Sequence, residues 1–477
     1  MDNTSIGQAA GKPARRHGLA GRLARALAYG AAFILPILLA GAVGCAMSLR
    51  ISRAGAPPSR RAAAVPQAPP AYDPHKPTVA VVLGDLNDTN DVLGPYTLFA
   101  ESAAYNVYTV AATRELRSLT DGLDIVPHYS FGELEARLGH GPDIVVVPAM
   151  PAILAPENQP VRSWIRTQAS QAKLLFSWCT GAEVLAASGV LDGKAATAHW
   201  GDIDRLERAY PAVRWQRGVR YTEDGRIMTS AGLTSGIDAT LHLLARLHGT
   251  ALAERVARAI HYSSLDLVER PAMPQYRFGP ADSIALLHAA FAWPKPQAGV
   301  WLYDGVGEID LAAVFEVYGA TWAYQVDTMA ASPAITSQHG LQLVPRWQAP
   351  QLPAVERLLL PGGAGVARVA AALNGERGPG SAPIVMLADP AAPRFAYESA
   401  LEDIASQRGG ALARFAAKRL EYRAGTPHLS GAGWPAGLLA MPLLIGGAGV
   451  AALGWLLRRG PKAARQGRRA SFQANFG

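Results

Sequence analysis

The segment Leu174-Leu-Phe-Ser177-Trp178-Cys179-Thr180-Gly181-Ala-Glu183 is where this 477-residue chain could do chemistry. An apolar strand runs into small residues and at once into a helix, with a cysteine at the turn. Such a nucleophile elbow needs small neighbours, here Ser177 and Gly181, and it lifts its side chain above the carboxyl edge of a sheet. The helix N-terminus behind Cys179 is expected to lower the thiol pKa by favouring the thiolate. The same turn also reads as a small buried hydrophobe, the usual fate of a free cysteine. Asp85-Leu-Asn-Asp88-Thr-Asn-Asp91 has the look of a calcium loop but lacks the glycine and the closing glutamate at their required offsets. None of the eleven histidines stands in a metal-ligand spacing. No metal and no cofactor is expected.

An elbow needs a sheet beneath it. Val79–Leu83 and Asp143–Pro148 are short apolar runs of the kind buried on both faces of a parallel sheet. Asp91 is placed to cap a helix running to about Ala104, Asn106–Ala112 reads as a strand, and helices fit Val161–Gln171, Ile237–Leu247 and Ala251–Tyr262. Strands alternating with amphipathic helices predict a doubly wound α/β sheet. The pattern then restarts. Gly299–Gly305 followed by Glu308–Glu316 parallels Val81–Glu101, and Arg357-Leu-Leu-Leu-Pro361 parallels Ile144-Val-Val-Val-Pro148. Two copies of one unit, divided by the Pro-rich stretch 265–297, is the simplest account.

The net charge of +8 invites a nucleic-acid reading, so its location matters. Residues 1–77 hold ten Lys/Arg against Asp2 and Asp73, and residues 425–477 hold six with no acid. The middle therefore carries an excess of six acids, a poor match for a phosphate backbone, and no nucleic-acid partner is expected. Each basic end adjoins an uncharged apolar run, Ala26–Leu49 and Trp434–Leu457, long enough to cross about 30 Å of hydrocarbon. Two buried core helices are the alternative. The basic tail after Leu457 reads as cytoplasmic, which puts the N-terminus there too and residues 50–433 outside. Arg50, Arg53, Arg60 and Arg61 weigh against that orientation, and Leu39–Cys45 loosely resembles a lipoprotein cleavage site that would lipidate Cys45.

The stretch from Ser177 through Asp192-Gly193-Lys-Ala-Ala-Thr197-Ala-His199-Trp200 resembles the ThiJ/PfpI superfamily. It is most similar to the branch of isonitrile hydratases and the amidotransferase-like halves of AraC-type regulators. Thr229-Ser-Ala-Gly232 through Gly236-Ile-Asp238 to Arg246 matches that branch further on. The resemblance implies a flavodoxin-like, class I glutamine-amidotransferase-like fold with Cys179 as nucleophile or oxidisable thiol. It implies that Asp91 points at the sulfur and shuttles a proton, a role compatible with capping a helix. It places His199 near the site, where a packed histidine is the alternative. Thr180 offers a hydroxyl and an N–H, and Gly181 and Ala149 border the pocket. The family's Pro-Gly-Gly is Pro148-Ala149-Met150 here, which puts an oxyanion site in doubt. The second copy keeps Pro361-Gly362-Gly363 and Asp310 but has no cysteine.

The expected fold class is α/β: two flavodoxin-like units in tandem, flanked by two transmembrane helices and packed as an intramolecular pseudo-dimer. The layout runs as a basic segment (1–25), a membrane helix (26–49), a Pro-rich linker (50–77), a first domain with the elbow (78–264) and an inter-domain segment (265–297). A degenerate second domain (298–424), a linker (425–433), a second membrane helix (434–457) and a basic tail (458–477) follow. The expected function is a small-molecule or redox sensor at the bacterial inner membrane, or a cysteine-dependent hydratase or hydrolase. An active isonitrile-hydratase-like enzyme using Cys179 and Asp91 is the alternative. A transcription regulator would need a helix-turn-helix domain after the first copy, where the chain has a second copy and an apolar run.

Overall fold

The computed structural model describes residues 19–55, 66–265, 268–375, 381–422, 428–431 and 433–473. Most of the basic segment 1–25, residues 56–65 of the Pro-rich linker and parts of the 425–433 and 458–477 segments lie outside these residues. The chain divides into two compact units, Gly44–Pro435 and the paired terminal segments Met1–Val43 and Ala436–Gly477.

Helix α1 (Leu19–Ser52) opens the described chain. In the larger unit, β1 (Thr78–Val82) is buried at every position, as a run of valines at the centre of a sheet covered on both faces should be. It is followed by α2 (Thr89–Ser102), β2 (Asn106–Ala111), β3 (Tyr129–Ser130), β4 (Ile144–Val147), α3 (Gln159–Gln171) and β5 (Leu174–Ser177). Then come α4 (Gly181–Ala187), the hairpin of β6 (Tyr221–Asp224) with β7 (Ile227–Ser230), α5 (Leu233–His248) and α6 (Thr250–Ala259). The seven strands lie in the order β6-β7-β5-β4-β1-β2-β3, parallel throughout except for the hairpin.

After α7 (Ser283–Phe291) a second parallel sheet begins. Its strands are β8 (Gln297–Trp301), β9 (Gln325–Ala330), β10 (Trp347–Gln348), β11 (Arg357–Leu360) and β12 (Ile384–Met386), in the order β10-β9-β8-β11-β12. Helix α8 (Glu308–Val314) follows β8, and α9 (Ala396–Arg408) and α10 (Gly410–Arg419) close the sheet. The strand registers of the two sheets correspond. Thr78 pairs with Asn106 as Gln297 pairs with Gln325, and Val79 pairs with Ile144 as Ala298 pairs with Arg357. Val145 pairs with Leu175 as Leu358 pairs with Ile384, so Ala388 stands where the first sheet has Cys179.

Helix α2 packs on α8, and a small antiparallel ladder also joins the sheets, with Gln342, Leu343 and Val344 opposite Val126, Ile125 and Asp124. The end of α1 is fixed to α7. A Cβ on Gly44 would fall 2.0 Å from the Ala290 carbonyl oxygen, and Ser48 Oγ donates to the Ala289 carbonyl at 2.8 Å. Residues 66–77 form neither helix nor strand, turn at Pro74-His75 where the Lys76 N–H donates to the Asp73 carbonyl at 3.1 Å, and lie on the body rather than forming a free spacer. Gln67 N donates to Gln342 Oε1 at 2.7 Å, and the Asn106 side chain donates to the carbonyls of Asp73 and Lys76 at 2.8 and 2.9 Å.

Gly21–Ser52, whose residues up to Val43 belong to the smaller unit, and Ala436–Arg458 are helices long and apolar enough, by length and composition, to cross a membrane. The second belongs to α11 (Ala436–Gln473). Gly446 and Gly449 let the two helices approach closely: a Cβ on Gly449 would lie 2.1 Å from the Ala32 carbonyl oxygen. Small residues at such a crossing are what apolar helices need when burial of oily surface cannot drive their packing.

Candidate active site

Strand β5 ends at Ser177 and α4 begins at Gly181, so the chain reverses within a few residues. Cys179 takes φ 52°, a left-handed conformation that costs a non-glycine residue about 1 kcal/mol and collects at functional sites. Gly181 permits the turn because a Cβ there would lie 2.0 Å from the Val147 carbonyl oxygen. Trp178 is fully buried beneath it, between Gly94 of α2 and Gly236 of α5, where Cβ atoms would fall 2.6 and 2.5 Å from its ring.

Cys179 Sγ lies 3.7 Å from Thr180 Oγ1, and that hydroxyl donates to Asp202 Oδ2 at 3.1 Å. The expected lowering of the thiol pKa is overturned. Burial, followed by the charges of Asp91, Asp88 and Asp202, pushes it well above its ordinary value. A seven-residue helix cannot outweigh burial and three carboxylates.

Asp91 does not cap its helix, as the sequence suggested. Asp88 holds the N-cap position, and Asp91 is the third residue of α2, fully buried. Its Oδ2 accepts the Ala149 N–H at 3.1 Å, while Oδ1 has no partner among the described residues. Burial and the charge of Asp88 hold the Asp91 carboxyl well above the usual carboxylate range. Burial and the charge of Glu316 do the same to Asp88. Asp91 is thus held toward its protonated form, and its charge, when it ionises, opposes that of the thiolate. Ala149 lines the cavity as expected, but its N–H is engaged by Asp91. Neither Ala149 nor Met150 has a positive φ, whereas Gly363 in the second sheet sits at 134°.

His199 also lines the cavity, with both ring nitrogens in use. Nδ1 accepts the Gly201 N–H at 3.2 Å and Nε2 donates to the Arg419 carbonyl at 3.0 Å. Burial and the charge of Arg419 lower its pKa to about 4, so at neutral pH it is a fixed, uncharged wall residue rather than a base.

The sequence reading missed what the second sheet's helices bring. The cavity encloses about 1100 Å³, and Phe415 and Arg419 of α10 form part of its wall. Arg419 pairs with the buried Glu316, which sits in a π-helical turn, Phe315–Gly319, directly after α8. Just beyond α10, Glu421 accepts the Gly232 N–H at 2.7 Å and the Ser235 hydroxyl at 2.6 Å, tying the start of α5. Burial raises the Glu421 pKa to about 7. One sequence signal existed for Asp88, in the acidic loop set aside as a calcium lookalike. Nothing local marked Glu316, Arg419 or Glu421.

A second cavity of about 250 Å³ lies beside Asp310, Gly362, Gly363 and Ala388. The end of α6, residues 259–261, lines it as the end of α10 lines the first. His261 and Glu421, each the second residue past its helix, take φ of 56° and 55°.

Residues 77–246 match the family model described as the DJ-1/PfpI family. Over 175 residues the chain is 33% identical to isonitrile hydratase of Pseudomonas putida, covering 36% of this chain and 73% of that protein. Over 94 residues it is 39% identical to the HTH-type transcriptional regulator CdhR of Pseudomonas aeruginosa, covering 20% of this chain and 28% of the regulator. Among solved structures, a THiJ/PfpI family protein from Pseudomonas syringae aligns at 24% identity over 46% of this chain and 87% of its own, with a TM-score of 0.36. With its elbow, its flavodoxin-like parallel sheet and these relatives, the chain belongs to the DJ-1/PfpI family.

Proposed function

We propose that this is a membrane-anchored thiol module in which Cys179, assisted by Asp91, meets a small electrophilic or oxidising ligand. The observation that carries the reading is the elbow thiol, held at φ 52° on the wall of a cavity of about 1100 Å³ beside a buried acid held toward its protonated form. A strained position is retained where its side chain is used. Sensing is favoured over turnover because the Ala149 N–H that would steady an oxyanion serves Asp91.

In this reading the second sheet is a shortened copy of the family unit. Its Gly362 N–H bonds Asp310, but Ala388 stands at the elbow, so it does no thiol chemistry. It packs on the first as an intramolecular pseudo-dimer and lends Glu316, Arg419 and Glu421 to the Cys179 site. The two apolar helices anchor the chain in the inner membrane, with the basic ends cytoplasmic and the body on the opposite side.

A second reading, hydration of an isonitrile-like substrate, is favoured by the likeness to isonitrile hydratase and by Asp91 as a proton donor. An electrophile panel, including isonitriles, applied to wild type, Cys179→Ala and Asp91→Asn separates the two. Turnover lost in both variants establishes the enzyme. Stoichiometric, reversible modification of Cys179 without turnover establishes the sensor. An inert Cys179 defeats both. Protease digestion of spheroplasts should remove the body, and digestion only from the cytoplasmic side overturns the orientation.

A further inference from the structure

We infer that the ligand of the Cys179 cavity carries an anionic group, a carboxylate or its equivalent, received by Arg53 and Arg277. The inference rests on the reading of that cavity as the working site. Five arginines line the cavity, and three are already engaged. Arg205 bonds both oxygens of Glu183, at 2.6 and 2.7 Å, and Asp202 at 3.0 Å. Arg217 pairs with Asp204 at 2.5 Å and Glu207 at 2.6 Å, and Arg419 pairs with Glu316. Arg53, just beyond α1, and Arg277, in the Pro-rich segment before α7, are different. Neither side chain makes a hydrogen bond or ion pair with the described residues, although the charge of Arg277 is felt at Asp204.

Glu183, Asp202 and Asp204 on the wall outnumber Arg205 and Arg217, but each of these acids is already bonded to one of those two arginines. Desolvation and the charge of Glu316 raise the Asp88 carboxyl above the usual carboxylate range. Trp200, also on the wall, has an indole N–H with no acceptor among the described residues. The cavity therefore presents two solvent-exposed guanidinium forks with no partner among the described residues, and a buried indole N–H without an acceptor. A ligand rich in acceptor oxygens and bearing negative charge completes this set, since guanidinium recognises such groups with paired, charge-assisted hydrogen bonds. A neutral or cationic ligand would shield these donors from water and leave them unpaired.

Alkylation of the full-length protein in detergent tests this without knowledge of the natural ligand. Iodoacetate and iodoacetamide attack the same thiol and differ in charge. Peptide mapping separates Cys179 from Cys45. The ratio of the iodoacetate rate to the iodoacetamide rate at Cys179 should exceed that of a free cysteine peptide by roughly three- to tenfold at low salt. It should fall to the peptide's ratio in the Arg53→Gln, Arg277→Gln double variant, and also at high salt. A ratio equal to the peptide's, or one indifferent to the double substitution, overturns the inference. The iodoacetamide rate alone judges the thiol: a Cys179 that ignores iodoacetamide refutes the working-site reading instead. Calorimetric titration of benzoate into Cys179→Ala then decides the anion question. Binding weakened at least roughly threefold by the double substitution supports it. No binding, or binding unaffected by the substitutions, overturns it.

Discussion

His199 Nε2 donates to the carbonyl oxygen of Arg419 at 3.0 Å, so a wall residue of the cysteine cavity is oriented by main chain 220 positions further on. The imidazole stays neutral down to about pH 4. The pH profile of Cys179 alkylation should therefore show no step from His199 between pH 5 and 8, and His199→Gln should move its midpoint by less than about 0.3 unit. Asp91→Asn should act differently. It removes a group that competes with the thiol to carry negative charge, so the midpoint should fall by about one unit. Rates with iodoacetamide across the pH range check both.

The elbow should be intolerant of a methyl group. Gly181→Ala drives its Cβ into the backbone oxygen of Val147, which no rotamer can relieve. A loss of about 3 kcal/mol is expected in denaturant unfolding of the detergent-solubilised protein. Gly132→Ala, in the exposed helix Phe131–Leu138 with nothing within 4 Å of the new atom, should be neutral or stabilising by about 0.5–1 kcal/mol. Equal losses at the two positions would remove the elbow from the account.

The register of β11 and β12 makes Ala388 the counterpart of Cys179. Ala388→Cys in a Cys179→Ala background should create an iodoacetamide-reactive thiol in the second cavity, located by peptide mapping. It should react more slowly than a free cysteine peptide, because Asp310 beside it is itself held up to about 7 by burial and the charge of Glu308. A fully exposed, peptide-like reactivity would mean the register does not continue past β12.

His339 bridges the two halves, with Nε2 3.1 Å from Glu101 and Nδ1 2.7 Å from Glu308. Burial opposes its charge, but hydrogen bonds to both glutamates and their charges raise its pKa to about 9. A raised histidine stabilises the fold fully below its unfolded value, near 6.5, and loses that contribution as pH rises through about 9. The thermal midpoint of the wild type should therefore drop relative to His339→Gln across that window, by the equivalent of about 2 kcal/mol. Comparing the two proteins at each pH cancels the other groups that titrate there.

The sequence made the first sheet and the elbow legible, because each is written in short-range form. Valine runs mark β1 and β4, and small residues flank Cys179. The thiol's electrostatics were not legible: the dipole of α4 is local, whereas the opposing acids arrive from α2 and from the loop at Asp202. The role of Asp91 was displaced by three positions because Asp88 and Asp91 both suit a helix start, and only the docking of Ala149 distinguishes them. Arg419 and Glu316 were out of reach altogether, since they pair with each other across 103 positions and reach His199 and Asp88 of the other half. The proline spacing of residues 66–77 held no information that Asn106 and Gln342 would receive its backbone.

The ends of α6 and α10 are built alike, yet one brings Ala259 and His261 to the second cavity and the other brings Arg419 to the first. In an assembly of identical chains a single substitution at such a helix end would appear at both cavities. Here both ends are encoded separately on one polypeptide. The region around Arg419 is therefore free to be tuned for the thiol cavity alone, while the opposite cavity keeps its own border, with Glu308, Asp310 and His339 on it.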